Sequence, residues 1–179
     1  MRTRTAAALA SVLALVCLAT AAGPVTRTWK SAEDEITYQL LAFEPPLKIT
    51  RQLQSDRGAV AASLSLYRAL AAADISSAAA MSNDRERTYA KYERYIERLG
   101  AAEFKKMFAT YFVGGASYTH ELVIGEHHML LIEDPSDDTI AAQFYVLTDG
   151  KYLVDEKPGR ERDQLGRIFM AVREEKLKL

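Results

Sequence analysis

The sequence predicts an α+β domain in which N-terminal helices pack on a curved, antiparallel, four-stranded meander and a further helix closes the chain. Apolar residues recur at helical spacing over residues 57–111. Short alternating segments follow over residues 117–155, with turn signals at Gly125-Glu126 and Asp149-Gly150. Helical spacing returns after Pro158-Gly159. Helices that precede the strands, instead of alternating with them, indicate the α+β class.

The 179 residues divide into three predicted segments. Residues 1–21 form a secretory signal, residues 22–54 an N-terminal extension or lead-in, and residues 55–177 the folded domain with its closing helix. The chain is 49% hydrophobic and 26% charged, which excludes collagen, a long coiled coil and wholesale disorder. The formal net charge of −1 predicts no nucleic-acid partner.

The first residues have the pattern of an export signal. Arg2 and Arg4 precede an apolar run over residues 6–19, and Ala19 and Ala21 supply small residues before the predicted cleavage point. Cleavage after Ala21 would place the protein in the periplasm or outside the cell, with no membrane contact. An uncleaved anchor is the alternative. The single cysteine, Cys17, lies within the signal, so no disulfide or thiolate is expected afterwards.

The segment before the first confident helix is ambiguous. Residues 24–30 are interpreted as a linker, and Ser31 as the N-cap of a helix with an acidic first turn at residues 33–35 and with Ile36, Leu40 and Phe43 at helical spacing. That helix is favoured, although Ile36 and its alternating neighbours fit a strand equally well. Pro45-Pro46 is expected to end either element. Residues 47–53 fit a short edge strand or an extended lead-in.

The remaining elements have clearer signals. Apolar faces, capping residues and Gly100 predict four helices over residues 57–73, 77–81, 84–99 and 101–111. Alternation and turns predict strands over residues 117–124, 127–133, 139–147 and 151–155. Leu165 and Val172 mark the closing helix.

Two segments of the chain carry motifs of a known fold. In residues 64–80 an alanine-rich helix ends at Asp74 and a second alanine-rich helix follows. Residues 145–155 form a predicted hairpin with an Asp-Gly turn, an aromatic residue and a final aspartate. In this order the two segments resemble the opening helices and the closing hairpin of the nuclear transport factor 2-like superfamily, and the resemblance covers about residues 57–156. It implies an exported, bacterial-type member with a cone-shaped fold, in which the sheet wraps a helix and encloses a pocket.

That resemblance implies a fold more than an activity, because the scaffold hosts isomerases, dehydratases, epoxide hydrolases and non-catalytic binders. The favoured interpretation is an exported non-catalytic domain that binds a small apolar ligand or a protein partner. One alternative is a hydrolase or isomerase that uses His120 as its base in the cone. Another is a membrane-anchored scaffold of an envelope assembly. The outer face of the sheet is a candidate surface for pairing two copies.

Four residues are predicted to bind the ligand. Pairing about Gly125-Glu126 places His120 opposite Leu131 and on the face that holds Tyr118, among apolar neighbours. Desolvation there would favour neutral imidazole, which suits a general base. Pairing about Asp149-Gly150 places Gln143 and Tyr145 on one face, as a hydrogen-bonding pair for a pocket.

A metal site is not expected from the three histidines. His127 and His128 are adjacent in a strand and therefore point to opposite faces. His120 and His127 share a predicted face but stand about 13 Å apart along it. Asp155 is interpreted as a strand-end residue or, less readily, a base. The sequence contains no glycine-rich phosphate loop and no Gly-x-Ser-x-Gly motif, so no cofactor is predicted.

Overall fold

The structure is a computed structural model that describes residues 23–31, 34–135 and 139–179. The predicted signal over residues 1–21 lies outside the described residues. Within them, no helix combines the length and the apolar character needed to cross a membrane.

The described residues form one antiparallel sheet whose six strands follow each other in chain order. The strands are β1 (Val25–Lys30), β2 (Glu35–Lys48), β3 (Ser117–Ile124), β4 (His127–Asp134), β5 (Thr139–Thr148) and β6 (Lys151–Val154). The four strands predicted from residue 117 onward correspond to β3–β6, but the sheet has six strands, because β1 and β2 extend it on the β3 side.

Five helices accompany the sheet in the described part of the chain. They are α1 (Gly58–Ala71), α2 (Ile75–Ala80), α3 (Arg85–Leu99), α4 (Ala101–Thr110) and α5 (Arg160–Arg173). The sequence predicts Asn83 or Asp84 as the cap of α3, and the structure has Asp84, whose side chain accepts from the backbone N–H of Arg87 at 3.1 Å. The α+β class is confirmed.

The N-terminal extension differs from its prediction, because the expected linker and helix are the strands β1 and β2. Trp29 pairs with Ile36 and Val25 pairs with Leu40 in an antiparallel hairpin. Ile36 and Leu40 are buried, while the residues between them alternate with solvent exposure. Only one face of this segment is buried against α5. One-sided burial of alternate residues favours a strand, which has a period of two, over a helix.

Pro45-Pro46 does not end β2. β2 pairs with β3 in one register from Gln39 to Ala42. The pairing is then interrupted and resumes in a shifted register where Leu47 pairs with Tyr118. Proline lacks a backbone donor, so the ladder is interrupted at this point without terminating the strand.

The two faces of the sheet pack against different helices. The inner face, defined by Leu130 and Ile132, forms one hydrophobic core with Leu64 of α1 and with residues of α3 and α4. The outer face, defined by Met129 and Leu131, forms a second core with α5. The sheet is thus a central layer between four helices and one helix, and α5 covers part of the face proposed for pairing two copies.

Candidate functional site

Three of the four predicted site residues meet on the inner face. The Tyr118 hydroxyl lies 2.6 Å from the Ser63 hydroxyl of α1. Ser63 in turn donates to Gln143 Oε1, and the Tyr145 hydroxyl donates to the same oxygen at 2.8 Å. Two strands and one helix are therefore joined by a polar cluster inside the core.

This cluster is closed. Tyr118 is 0% and Tyr145 1% exposed, and Ser63 is fully buried. Burial raises the pKa of Tyr145 well above its ordinary value, so its phenol stays protonated and donates. The polar groups of the cluster satisfy one another's hydrogen bonds, as in a structural network. None of its residues lines a cavity described below.

His120 does not join the other three, so its predicted place beside Tyr118 was wrong. Tyr118 pairs with Ile132 and His120 with Leu131, which leaves Thr119 unpaired in a β-bulge. The bulge shifts the alternation by one residue. Tyr118 therefore belongs to the inner core, while His120 lies on the outer face with Leu131.

On the outer face His120 lines a cavity of about 320 Å³ together with the C-terminal residues Leu177 and Leu179. Burial lowers the pKa of His120, an effect opposed by the charges of Glu133 and Glu44. The expected neutral imidazole is present, but it lies beneath the chain's own tail and away from the inner face.

Charged and apolar groups meet in a different cavity of about 280 Å³, the inner-face cavity. It opens where the start of α1 approaches the strands of the sheet. Its walls are Pro24, Gln39, Leu41, Arg57, Gly58, Glu121, Val123, His128 and Tyr152. Only this cavity, among those described, combines a carboxylate, an imidazole and a guanidinium.

Glu121 and His128 form a hydrogen-bonded pair in this cavity. The His128 Nδ1 atom lies 2.7 Å from Glu121 Oε1, and the residues are 9% and 8% exposed. Because the ionised carboxylate can only accept, Nδ1 carries the hydrogen. A neutral His128 then presents Nε2 as its basic nitrogen.

Tyr152 holds the His128 ring from the side. The two ring centroids are 4.8 Å apart at an interplanar angle of 73°. Burial, followed by the charges of Glu121 and Glu126, raises the pKa of the Tyr152 phenol. The tyrosine ring also covers Gly58, where an added Cβ would lie 2.0 Å from Tyr152 Cε2. A side chain at residue 58 is therefore incompatible with the Tyr152 position.

Arg57 supplies the positive charge of the cavity. Its guanidinium carbon lies 4.9 Å from the Phe43 ring centroid, in a cation–π arrangement. Its Nη1 atom is buried and has no hydrogen-bond partner among the described residues. Buried donors are normally satisfied, so Arg57, which lines the cavity, carries an unmet hydrogen bond.

His127 makes a separate pair on the opposite side of the sheet. Its Nδ1 lies 2.7 Å from Asp155 Oδ2, while Asn83 Nδ2 donates to Oδ1 of the same carboxylate at 2.7 Å. Asp155 is 3% exposed. The carboxylate thus joins the start of β4, the end of β6 and the loop before α3. His127 and His128 point to opposite faces, as the strand pattern predicts.

The largest of the four cavities described, about 790 Å³, lies away from His128 and adjoins the end of α5. Exposed side chains such as Glu133 and Arg173 line it. A groove of about 590 Å³ between Trp29 and α5 carries an exposed Met170. Neither brings together the chemistry seen around His128.

Sequence reasoning missed Arg57 and Glu121 and assigned no binding role to His128. Glu121 was detectable, since it is a carboxylate within an otherwise apolar strand segment. No known protein family, curated protein or solved structure matches this chain. The functional argument therefore depends on the geometry of the inner-face cavity.

Proposed function

We propose that the chain is an exported binding domain whose inner-face cavity holds a small ligand with an apolar body and an anionic or carbonyl oxygen. The observation that carries this proposal is the buried Nη1 of Arg57, which has no partner among the described residues. A buried donor without a partner costs about 1–3 kcal/mol, and more when it is charged. An oxygen of the ligand supplies the missing acceptor.

The size and walls of the cavity define the ligand further. About 280 Å³ is close to the lower end of small-molecule pockets, so the ligand is about the size of one aromatic ring with a short substituent. Leu41, Val123 and Tyr152 supply apolar walls. His128 donates to Glu121, which reduces the repulsion between that carboxylate and an incoming anion.

The other parts of the proposal have independent support. The basic, apolar and small-residue order of residues 2–21 supports export to the periplasm or beyond. The helix-then-meander order supports kinship with the nuclear transport factor 2-like superfamily. The alternative of an enzyme with His120 as base is weakened, because His120 lies on the outer face.

The test is benzoate binding, measured by isothermal titration calorimetry on wild type, Arg57→Met and Arg167→Met. Arg167 is the matched control, since it lies on α5 and pairs with Asp34 at 2.6 Å. A charge-assisted hydrogen bond contributes about 1.5–3 kcal/mol, so Arg57→Met should weaken binding about tenfold or more. Arg167→Met should bind like wild type.

Equal affinity of the three proteins would contradict the assignment of Arg57. Native mass spectrometry of protein purified from its own cell envelope extends the test to the natural ligand. A retained small molecule that is lost in Arg57→Met supports the proposal. A retained molecule that stays bound in Arg57→Met contradicts it.

A further inference from the structure

The cavity of about 790 Å³ beside the end of α5 has acidic walls. It lies between the neighbouring ends of β3, β4 and β5 and the C-terminal end of α5. Among the described residues that line it, the charged ones are Glu133, Asp134, Arg173 and Glu175. Three carboxylates and one guanidinium leave an excess of two negative charges. We call it the acidic cavity, and it shares no lining residue with the inner-face cavity.

Two of these carboxylates have no positive partner in the described part of the chain. Glu133 lies near the end of β4 and Glu175 just beyond α5, and both side chains are exposed. Neither carboxylate forms an ion pair with a described residue. Water solvates an exposed carboxylate, so these charges do not define a ligand by themselves. A cavity with walls of one sign does favour a ligand of the opposite sign, which here is a cation.

A buried hydroxyl in the same wall carries an unmet hydrogen bond. Thr119 lines the acidic cavity and is 6% exposed, and its Oγ1 atom has no hydrogen-bond partner among the described residues. The residue lies in the β-bulge of β3, between the paired residues Tyr118 and His120. Buried polar groups are normally satisfied, and a hydroxyl oxygen can accept from an N–H donor. A cation that carries N–H groups therefore suits both the charge and the hydroxyl.

The carboxylates are distributed around the acidic cavity instead of being gathered at one point. Glu133 and Asp134 are consecutive in β4, so their side chains leave the strand on opposite faces. Asp134 Oδ2 lies 3.8 Å from the position of a Cβ added at Gly114, in the loop before β3, whereas Glu175 belongs to the wall formed by the end of α5. Among the described residues, no three Asp, Glu, His or Cys side chains are grouped so that they could hold one metal ion. Separated carboxylates match an elongated ligand with separated positive groups.

We propose that the acidic cavity binds a linear polyamine, which is an aliphatic chain with two or more ammonium groups. Glu133 and Glu175 pair with different ammonium groups, and Thr119 Oγ1 accepts a hydrogen bond from one of them. Ile140 and Val172 supply apolar wall for the methylene segments between the charges. The volume of about 790 Å³ lies within the range of small-molecule pockets. This site is independent of ligand binding in the inner-face cavity.

The test is spermidine binding, measured by isothermal titration calorimetry at neutral pH and low ionic strength. Glu133→Gln and Glu175→Gln should each weaken binding about two- to fivefold, as expected for an ion pair that is partly exposed to water. Arg173→Gln should strengthen binding about twofold, because it removes a charge of the same sign as the ligand. Glu97→Gln is the matched control and should bind like wild type, since Glu97 is exposed on α3 and lines none of the four cavities described.

Thr119 gives a readout that separates binding from folding. Thr119→Val should weaken spermidine binding about threefold or more, because it removes an acceptor of the ligand's hydrogen bond. It should not lower Tm, because the hydroxyl that it removes has no partner in the free protein. Thr119→Ser keeps the hydroxyl and should keep the affinity. A Thr119→Val protein that binds spermidine like wild type, or that melts at a clearly lower temperature, would contradict the role of this hydroxyl.

The remaining outcomes decide between kinds of cation. Failure of wild type to bind spermidine overturns the proposal, as does an equal loss of affinity in Glu97→Gln and Glu133→Gln, which indicates unspecific attraction to an acidic surface. Trilysine and calcium chloride are titrated in parallel. Tighter binding of trilysine at the same residues assigns the cavity to a basic peptide, and binding of calcium alone assigns it to a metal ion, so either result overturns a polyamine site. Benzoate binding should be unchanged in all these variants, so this proposal and the proposed function can fail separately.

Discussion

At the scale of single residues, the inner-face cavity depends on a glycine. Tyr152 lies against Gly58 and against the His128 ring, so its position is set from both sides. Any Cβ at residue 58 must displace the tyrosine ring, because the added atom would lie 2.0 Å from Tyr152 Cε2. The position of the His128 ring therefore depends on a residue with no side chain.

Gly58→Ala should destabilise the protein by about 1–3 kcal/mol, since it forces the Tyr152 ring out of its packed position. It should also weaken benzoate binding. Gly166→Ala within α5 is the control, because its Cβ would meet only Arg162 Nη1 at 3.4 Å and helices favour alanine. Urea unfolding measures the free energy of unfolding of both variants. A Gly58→Ala protein as stable as Gly166→Ala would contradict the packing argument.

The Glu121–His128 pair could have been predicted from the sequence. Pairing about Gly125-Glu126 is confirmed, and it places Val123 opposite His128 and Glu121 opposite Leu130. Glu121 and His128 are then diagonal neighbours on one face. Arg57 could not be identified from the sequence. The burial of its Nη1 atom without a partner is a property of the folded packing, in which the guanidinium lies over the Phe43 ring.

At the scale of elements, α5 and the C-terminal tail cover the outer face. Leu177 and Leu179 pack against the core that α5 forms with the sheet, and His120 lies in the cavity beneath them. The buried site disfavours the charged imidazole, and the pKa of His120 is lowered for that reason. The stability of the folded protein, in which this face is covered, therefore depends on pH.

The sign of this linkage is set by the lowered pKa. The unfolded chain takes up a proton at His120 near pH 6.5, whereas the folded protein resists protonation until a lower pH. The free energy of unfolding should therefore fall as pH drops below about 6.5. His120→Gln should lose less stability than wild type between about pH 7 and 5, measured by urea unfolding. An identical loss in both proteins would contradict the effect of burial.

The elements that sequence reasoning missed are the two that depend on distant partners. β1 contains Val, Thr and Trp, which favour strands, but its residues are almost entirely exposed and show no apolar period. β2 is a strand because Ile36, Tyr38 and Leu40 meet α5, more than 100 residues later in the chain. Local periodicity cannot distinguish such a strand from a helix, whereas the hairpins with Gly125 and Gly150 carry local turn signals.

At the scale of the whole molecule, the core under the sheet is filled, and the inner-face cavity lies at its edge. The inner face carries α1 to α4, and the polar cluster around Gln143 occupies the place where a deep pocket was expected. The inner-face cavity remains where the start of α1 approaches the strands. On the opposite side, Asp155 ties β4, β6 and the entry to α3 together.

The central claim is that Arg57 receives a ligand oxygen beside the Glu121–His128 pair. A crystal structure of the protein with bound benzoate tests it most directly. The account predicts the carboxylate within about 3 Å of the Arg57 guanidinium, with its ring against Leu41 and Tyr152. Benzoate bound elsewhere, or an Arg57 guanidinium whose donors are all taken by protein atoms, would contradict it.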